Sequence, residues 1–109
     1  MYEVKENLIT LEDGTSLQTF SRDVVSANII EVEAGTTGYK GGDTGHGWRT
    51  YIRINDASST DITVKPIEDY GDYKGAEIIL GGDAELRTII MALKFVVKVL
   101  EDQANEVYD

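Results

Sequence analysis

The chain has 109 residues, 10 basic and 20 acidic side chains, and a net charge of −10, enough for one modest core and so one domain spanning 1–109. Without cysteine it forms neither disulfides nor thiolate metal sites. Its negative field argues against generic nucleic-acid binding and against anionic membranes, leaving solubility or a basic protein groove as the use of the charge. The start, Met1–Glu6, lacks the regions of a secretory signal, and no apolar run is long enough to span a bilayer. A cytoplasmic location is expected.

Residues 6–20 read as a β-hairpin: Leu8-Ile9-Thr10-Leu11, a turn at Glu12-Asp13-Gly14-Thr15, then the alternating Ser16–Phe20. Ser21-Arg22-Asp23 breaks the pattern. A strand over 26–34 follows, with Ile30, Val32 and Ala34 on a buried face and Asn28, Glu31 and Glu33 solvated. It runs into Gly35–Gly47, which holds six of the eleven glycines and the single His.

A second strand leaves that segment over 47–54. Trp48, Thr50, Ile52 and Ile54 form its core face, and Arg49, Tyr51 and Arg53 the other. Residues 55–59 read as a loop. A strand over 60–67 points Ile62 and Val64 inward, and Pro66 marks an edge. An acidic, tyrosine-bearing turn at 68–75 leads to a short strand at 76–80. Gly81-Gly82-Asp83 opens a helix over about 84–104, with Asp83 as N-cap and Glu85 suited to the helix dipole. Arg87, Lys94, Lys98, Glu101, Asp102 and Asn105 form a narrow polar stripe, and nearly everything else on the helix is apolar. One sheet covers one side of such a helix, so the remaining flank is expected to build a homo-oligomer, the alternative being that the curved sheet and the N-terminal hairpin wrap the helix fully. The fold class is α+β: an antiparallel sheet of about five to six strands with one long C-terminal helix packed on one face.

A run as glycine-dense as 35–47 is costly to order and has little apolar surface to bury, which points to a ligand or partner. The candidate ligand-binding residues are Thr36, Thr37, Tyr39, Lys40, Gly41, Gly42, Asp43, His46, Trp48, Arg49 and Arg53. Backbone amides, Lys40, His46 and the two arginines would take phosphate, and Tyr39 or Trp48 would stack on a base. The core phase of Trp48 competes with that role. Cross-strand pairing with Glu31 or Glu33 competes with an anion clamp by Arg49 and Arg53. The run lacks the phosphate-loop and dinucleotide fingerprints and joins strand to strand. Gly81-Gly82-Asp83 is read as a helix cap in preference to an anion site. No cofactor, metal site or catalytic residue is assigned, since one His and no Cys leave only carboxylates and no calcium loop is present. A small hydrolase using His46 and Asp43 is the weaker alternative.

The run from Glu33 to Tyr51 resembles a segment of small uncharacterised proteins of Firmicutes phages and mobile elements, with a weaker echo in Gly81-Gly82-Asp83 and the helix. The resemblance implies an accessory protein that antagonises host defence. Two modes follow from it. One is non-enzymatic sequestration of a small anionic, nucleotide-like ligand by the glycine-rich segment. The other is inhibition of a host defence nuclease by an acidic surface, through protein–protein contact.

Overall fold

A computed structural model describes residues 4–38 and 49–108. In chain order the elements are β1 (Lys5–Thr10), β2 (Ser16–Val25), β3 (Ile29–Thr36), β4 (Thr50–Ser58), β5 (Ile62–Asp69), β6 (Asp72–Leu80) and α1 (Asp83–Tyr108). Strands β1 to β4 form a four-stranded antiparallel meander, and β5 and β6 form a separate two-stranded ribbon. With one long helix on the larger sheet, the class is α+β.

The core lies between α1 and the two central strands. Alternation along β3 puts Ile30, Val32 and Ala34 on one face, all fully buried. They meet Val24 of β2 and Ala92, Val96 and Val99 of α1, while Phe20, Ile54, Leu80, Ile89, Phe95 and Leu100 pack around them. At Gly35 a Cβ would lie 2.3 Å from the Gln18 carbonyl oxygen, so β2 and β3 approach too closely there for any side chain.

Several expectations are corrected. Strand β2 does not break at Ser21-Arg22-Asp23. Ser21 pairs with Lys5 on one side and Glu33 on the other, Arg22 and Asp23 pair with Val32 and Glu31, and this ladder overrides weak strand propensity. Strand β4 likewise continues through residues 55–58 because Asn55 and Asp56 pair with Glu31 and Ile30. On its expected core face, Ile54 packs on the core, but Thr50 and Ile52 are exposed. Asn28 and Glu33 are buried, because each has hydrogen-bonding partners inside the fold. The helix continues to Tyr108. Its first bond runs from the Leu86 N–H to the Gly82 carbonyl, so Gly82 is the cap and Asp83 belongs to the first turn.

The ribbon differs most from expectation. Ile62 is half-buried, but Val64 is exposed, as is every other residue of β5 and β6 except Leu80. Pro66 sits where an edge requires, since both strands of a two-stranded ribbon are edges. The turn is narrower than 68–75. Asp69 pairs with Asp72, and Tyr70 and Gly71 between them have φ of 50° and 85°, the primed turn that suits a twisted hairpin. The radius of gyration, 15.4 Å, exceeds the roughly 13 Å of a compact chain of this length.

Candidate functional site

Strands β3 and β4 form the neck of the glycine-rich segment. Thr36 lies opposite Thr50, and their hydroxyls are 2.9 Å apart. The Thr37 N–H donates to the Arg49 carbonyl at 3.0 Å, and the Arg49 N–H returns to the Thr37 hydroxyl at 3.0 Å. The Gly38 N–H donates to the Thr36 hydroxyl, also at 3.0 Å. From the helix, Gln103 Oε1 accepts the Thr36 N–H at 2.8 Å while its Nε2 donates to the Gln18 carbonyl at 3.0 Å. Threonine side chains thus replace ladder bonds where the strands part.

Of the sequence-predicted site residues, Thr36, Thr37, Arg49 and Arg53 are described. The first three meet at the neck. Tyr39, Lys40, Gly41, Gly42, Asp43, His46 and Trp48 lie outside the described residues.

Arg49 immediately precedes β4 and Arg53 lies within it, and each is engaged by carboxylate. The Arg49 Nε and Nη2 both lie 2.7 Å from Asp13 Oδ2, across the turn joining β1 to β2. Arg53 Nη1 is 3.3 Å from Glu31 Oε1 and 3.9 Å from Glu33 Oε1. The cross-strand alternative is therefore the one realised for Arg53. Glu33 is buried, and its Oε2 accepts from the Thr19 hydroxyl and from Asn7 Nδ2, the latter at 3.2 Å. The Thr15 N–H, then the Thr15 hydroxyl, then Arg49 hold the Asp13 carboxyl below its ordinary value. Every buried side-chain nitrogen and oxygen among the described residues is hydrogen-bonded. No group of three or more acidic or His side chains among them is placed to hold a metal ion.

A second surface shows in the sequence only as a turn. At the ribbon tip Tyr70 is fully exposed and Tyr73 is 68% exposed. Glu68, Asp69 and Asp72 surround them, all exposed. Asp69 and Asp72 face each other directly across the ribbon, which disfavours the hairpin they close. Two uncovered phenol rings add nothing to any core. This composition works against local stability and suits contact with another molecule. The signal in the sequence is the run Glu68-Asp69-Tyr70-Gly71-Asp72-Tyr73, in which acids and tyrosines crowd a tight turn.

No family model matches the chain, and no curated protein or solved structure compared with it matches. No helix among the described residues is long and apolar enough to cross a membrane.

Proposed function

We propose that this is a non-enzymatic accessory protein that acts by protein–protein contact, presenting the acidic, tyrosine-bearing ribbon tip to a basic groove on its target. The observation that carries the reading is the pair of exposed tyrosines, Tyr70 and Tyr73, set among Glu68, Asp69 and Asp72 on a projecting ribbon. Tyrosines supply rigid contact area, and the acids steer the encounter with a basic partner and fix its register. The phage-type resemblance of the glycine-rich segment makes a host defence nuclease the partner class to test first. The chain used as bait in a Firmicutes extract is expected to capture one protein stoichiometrically, and the complex weakens as salt rises. Tyr70→Ser combined with Tyr73→Ser is expected to lower affinity by at least about tenfold. Capture unaffected by that pair of substitutions would contradict the reading.

A second reading keeps the glycine-rich segment as a pocket for a small anionic, nucleotide-like ligand. The ordered neck supports it, since Thr36, Thr37 and Arg49 are fixed where the segment begins and ends. Against it stands the engagement of both arginines by carboxylates, which a phosphate would have to displace. This reading predicts a thermal shift with a cyclic-nucleotide panel, abolished in Arg49→Ala. No shift across the panel argues it out.

A further inference from the structure

Two apolar faces have no substantial packing partner among the described residues. The first is on the ribbon. Directly opposed residues share a face, so Ile62 with Leu80, Val64 with Ile78, and Pro66 with Ala76 form an unbroken apolar strip. The opposite face carries Thr63, Lys65 and Glu77 alongside Ile67 and Ile79. The strip begins at Leu80, which packs on the core, and continues outward, with Val64 54% and Ile78 42% exposed. Among the described elements the two strands pack substantially only on each other. An isolated two-stranded ribbon is marginal in water, so it needs a surface to lie on.

The second face is on the helix. Leu86, Ile90, Leu93 and Val97 recur at spacings of four, three and four, and all are exposed. Such spacing is the seam of a helix with a partner, and the stripe runs along a flank of the helix, beside and not opposite the core residues Ala92, Val96 and Val99. A shallow depression of about 430 Å³ lies over part of it, with Leu93 and Val97 as floor and Lys94, Lys98, Glu101 and Asp102 as rim.

We propose that the chain forms a two-fold dimer by arm exchange, in which the apolar strip of one copy's ribbon lies on the Leu86–Val97 stripe of a second copy, and the reverse. The lengths agree. The strip from Ile62 to Pro66 spans about 14 Å at strand rise, and Leu86 to Val97 spans about 17 Å at helical rise. Two-fold symmetry makes the contact twice, which doubles the apolar area that each copy covers. The charges also suit it: Arg87 and Lys94 flank the stripe, and the end of the incoming ribbon carries Glu68, Asp69 and Asp72.

Closure within one chain is opposed by the ribbon's base. The Gly81 N–H donates to the Asp61 carbonyl at 3.1 Å, and the Asp61 N–H donates to Glu85 Oε2 at 3.2 Å. Thr60 is tied to Ile29 and Asn28 at 2.9 and 3.1 Å. These bonds hold the base where the strip and the stripe of one chain do not lie on each other, and exchange leaves them intact. The dimer contact draws on Glu68, Asp69 and Asp72 as well, but its test reads the mass and cross-linking of the chain alone, so its failure and a failure of target capture are separately visible.

The natural absence of cysteine makes the test clean. Light scattering on the intact chain is expected to give the mass of two 12.0 kDa chains, falling toward one on dilution. Val64→Asp, at an exposed position, is expected to keep the helical circular-dichroism signal and to raise the dimer dissociation constant by at least about tenfold. Ile78→Cys and Ile90→Cys chains, mixed and treated with a short thiol cross-linker, are expected to join to each other. A monomer at every concentration overturns the proposal. So does self-linking of Ile90→Cys without the mixed product, the mark of a helix-on-helix dimer. A double Ile78→Cys, Ile90→Cys variant that links yet remains at 12.0 kDa also overturns it, because the ribbon then lies on its own helix.

Discussion

Gln103 reaches from the end of α1 to the end of β3, where its Oε1 accepts the Thr36 backbone N–H at 2.8 Å and its Nε2 donates to the Gln18 carbonyl at 3.0 Å. One buried side chain thus closes the ends of two strands and fixes the neck of the glycine-rich segment. At the other end of the helix, the Thr88 hydroxyl lies 3.0 Å from Asn28 Oδ1 and 2.7 Å from the Ala84 carbonyl. These polar clasps set the register of the helix on the sheet, which apolar contacts alone leave free to slide.

Gln103→Leu removes both partners while keeping the volume. It is expected to lower the unfolding free energy by about 2–4 kcal/mol, the cost of leaving two partly buried backbone groups unpaired. The urea midpoint should fall with the slope unchanged. Thr88→Val is expected to cost about 1–3 kcal/mol. The two sites are separated by roughly 22 Å of helix, so the double variant should show additive losses within about 0.5 kcal/mol.

Glu33 and Arg53 form an unequal pair. Arg53 is 47% exposed, and its contacts to Glu31 and Glu33 are open to water. Arg53→Ala is therefore expected to cost less than about 1 kcal/mol. Glu33→Gln is expected to cost about 1–3 kcal/mol, because a buried amide cannot reproduce a carboxylate that accepts from Thr19 and Asn7 while facing a guanidinium. Equal losses in the two variants would mean that the ion pair, and not the hydroxyl and amide donors, holds Glu33 in place.

The Asp13 carboxyl should titrate below its ordinary value, chiefly because the Thr15 N–H and hydroxyl favour the ionised form, with Arg49 adding to them. The folded value is lower than the unfolded value of about 3.9, so ionisation favours the folded turn. That contribution is fully present above about pH 4 and is lost as pH falls through the lowered folded value. Carboxyl-carbon NMR should show the low midpoint. In Arg49→Ala the midpoint should rise but stay below the ordinary value, because Thr15 still donates. A midpoint at or above the ordinary value in the intact chain would contradict the hydrogen bonding at this turn.

Much of the fold was legible in the sequence because it rests on alternation and turn chemistry. The buried face of β3, the turn at Asp13-Gly14 and the long helix all follow from patterns local to the chain. Polarity does not equal exposure in this fold. Asn28 and Glu33 are buried because residues far away in sequence, Thr88 for the first and Thr19 for the second, meet their polar atoms. Ser21-Arg22-Asp23 and Asn55–Ser58 were read as breaks because propensity knows nothing of a neighbouring strand. The pairing of Arg53 with Glu31 or Glu33 was readable. The Asp13 partner of Arg49 was not, since it depends on a turn 36 residues away meeting β4. The ribbon tip was visible as a turn. That it projects, with Tyr70 and Tyr73 uncovered, depends on the ribbon leaving the main sheet, which no local pattern encodes.

The central claim is that the molecule meets its target through the ribbon tip. Hydrogen exchange on the complex captured from extract, compared with the free chain, tests it directly. The account predicts new amide protection at residues 68–73 and unchanged exchange over 35–50. Protection gained over 35–50, with the tip exchanging as freely as before, would contradict it and place the working surface in the glycine-rich segment.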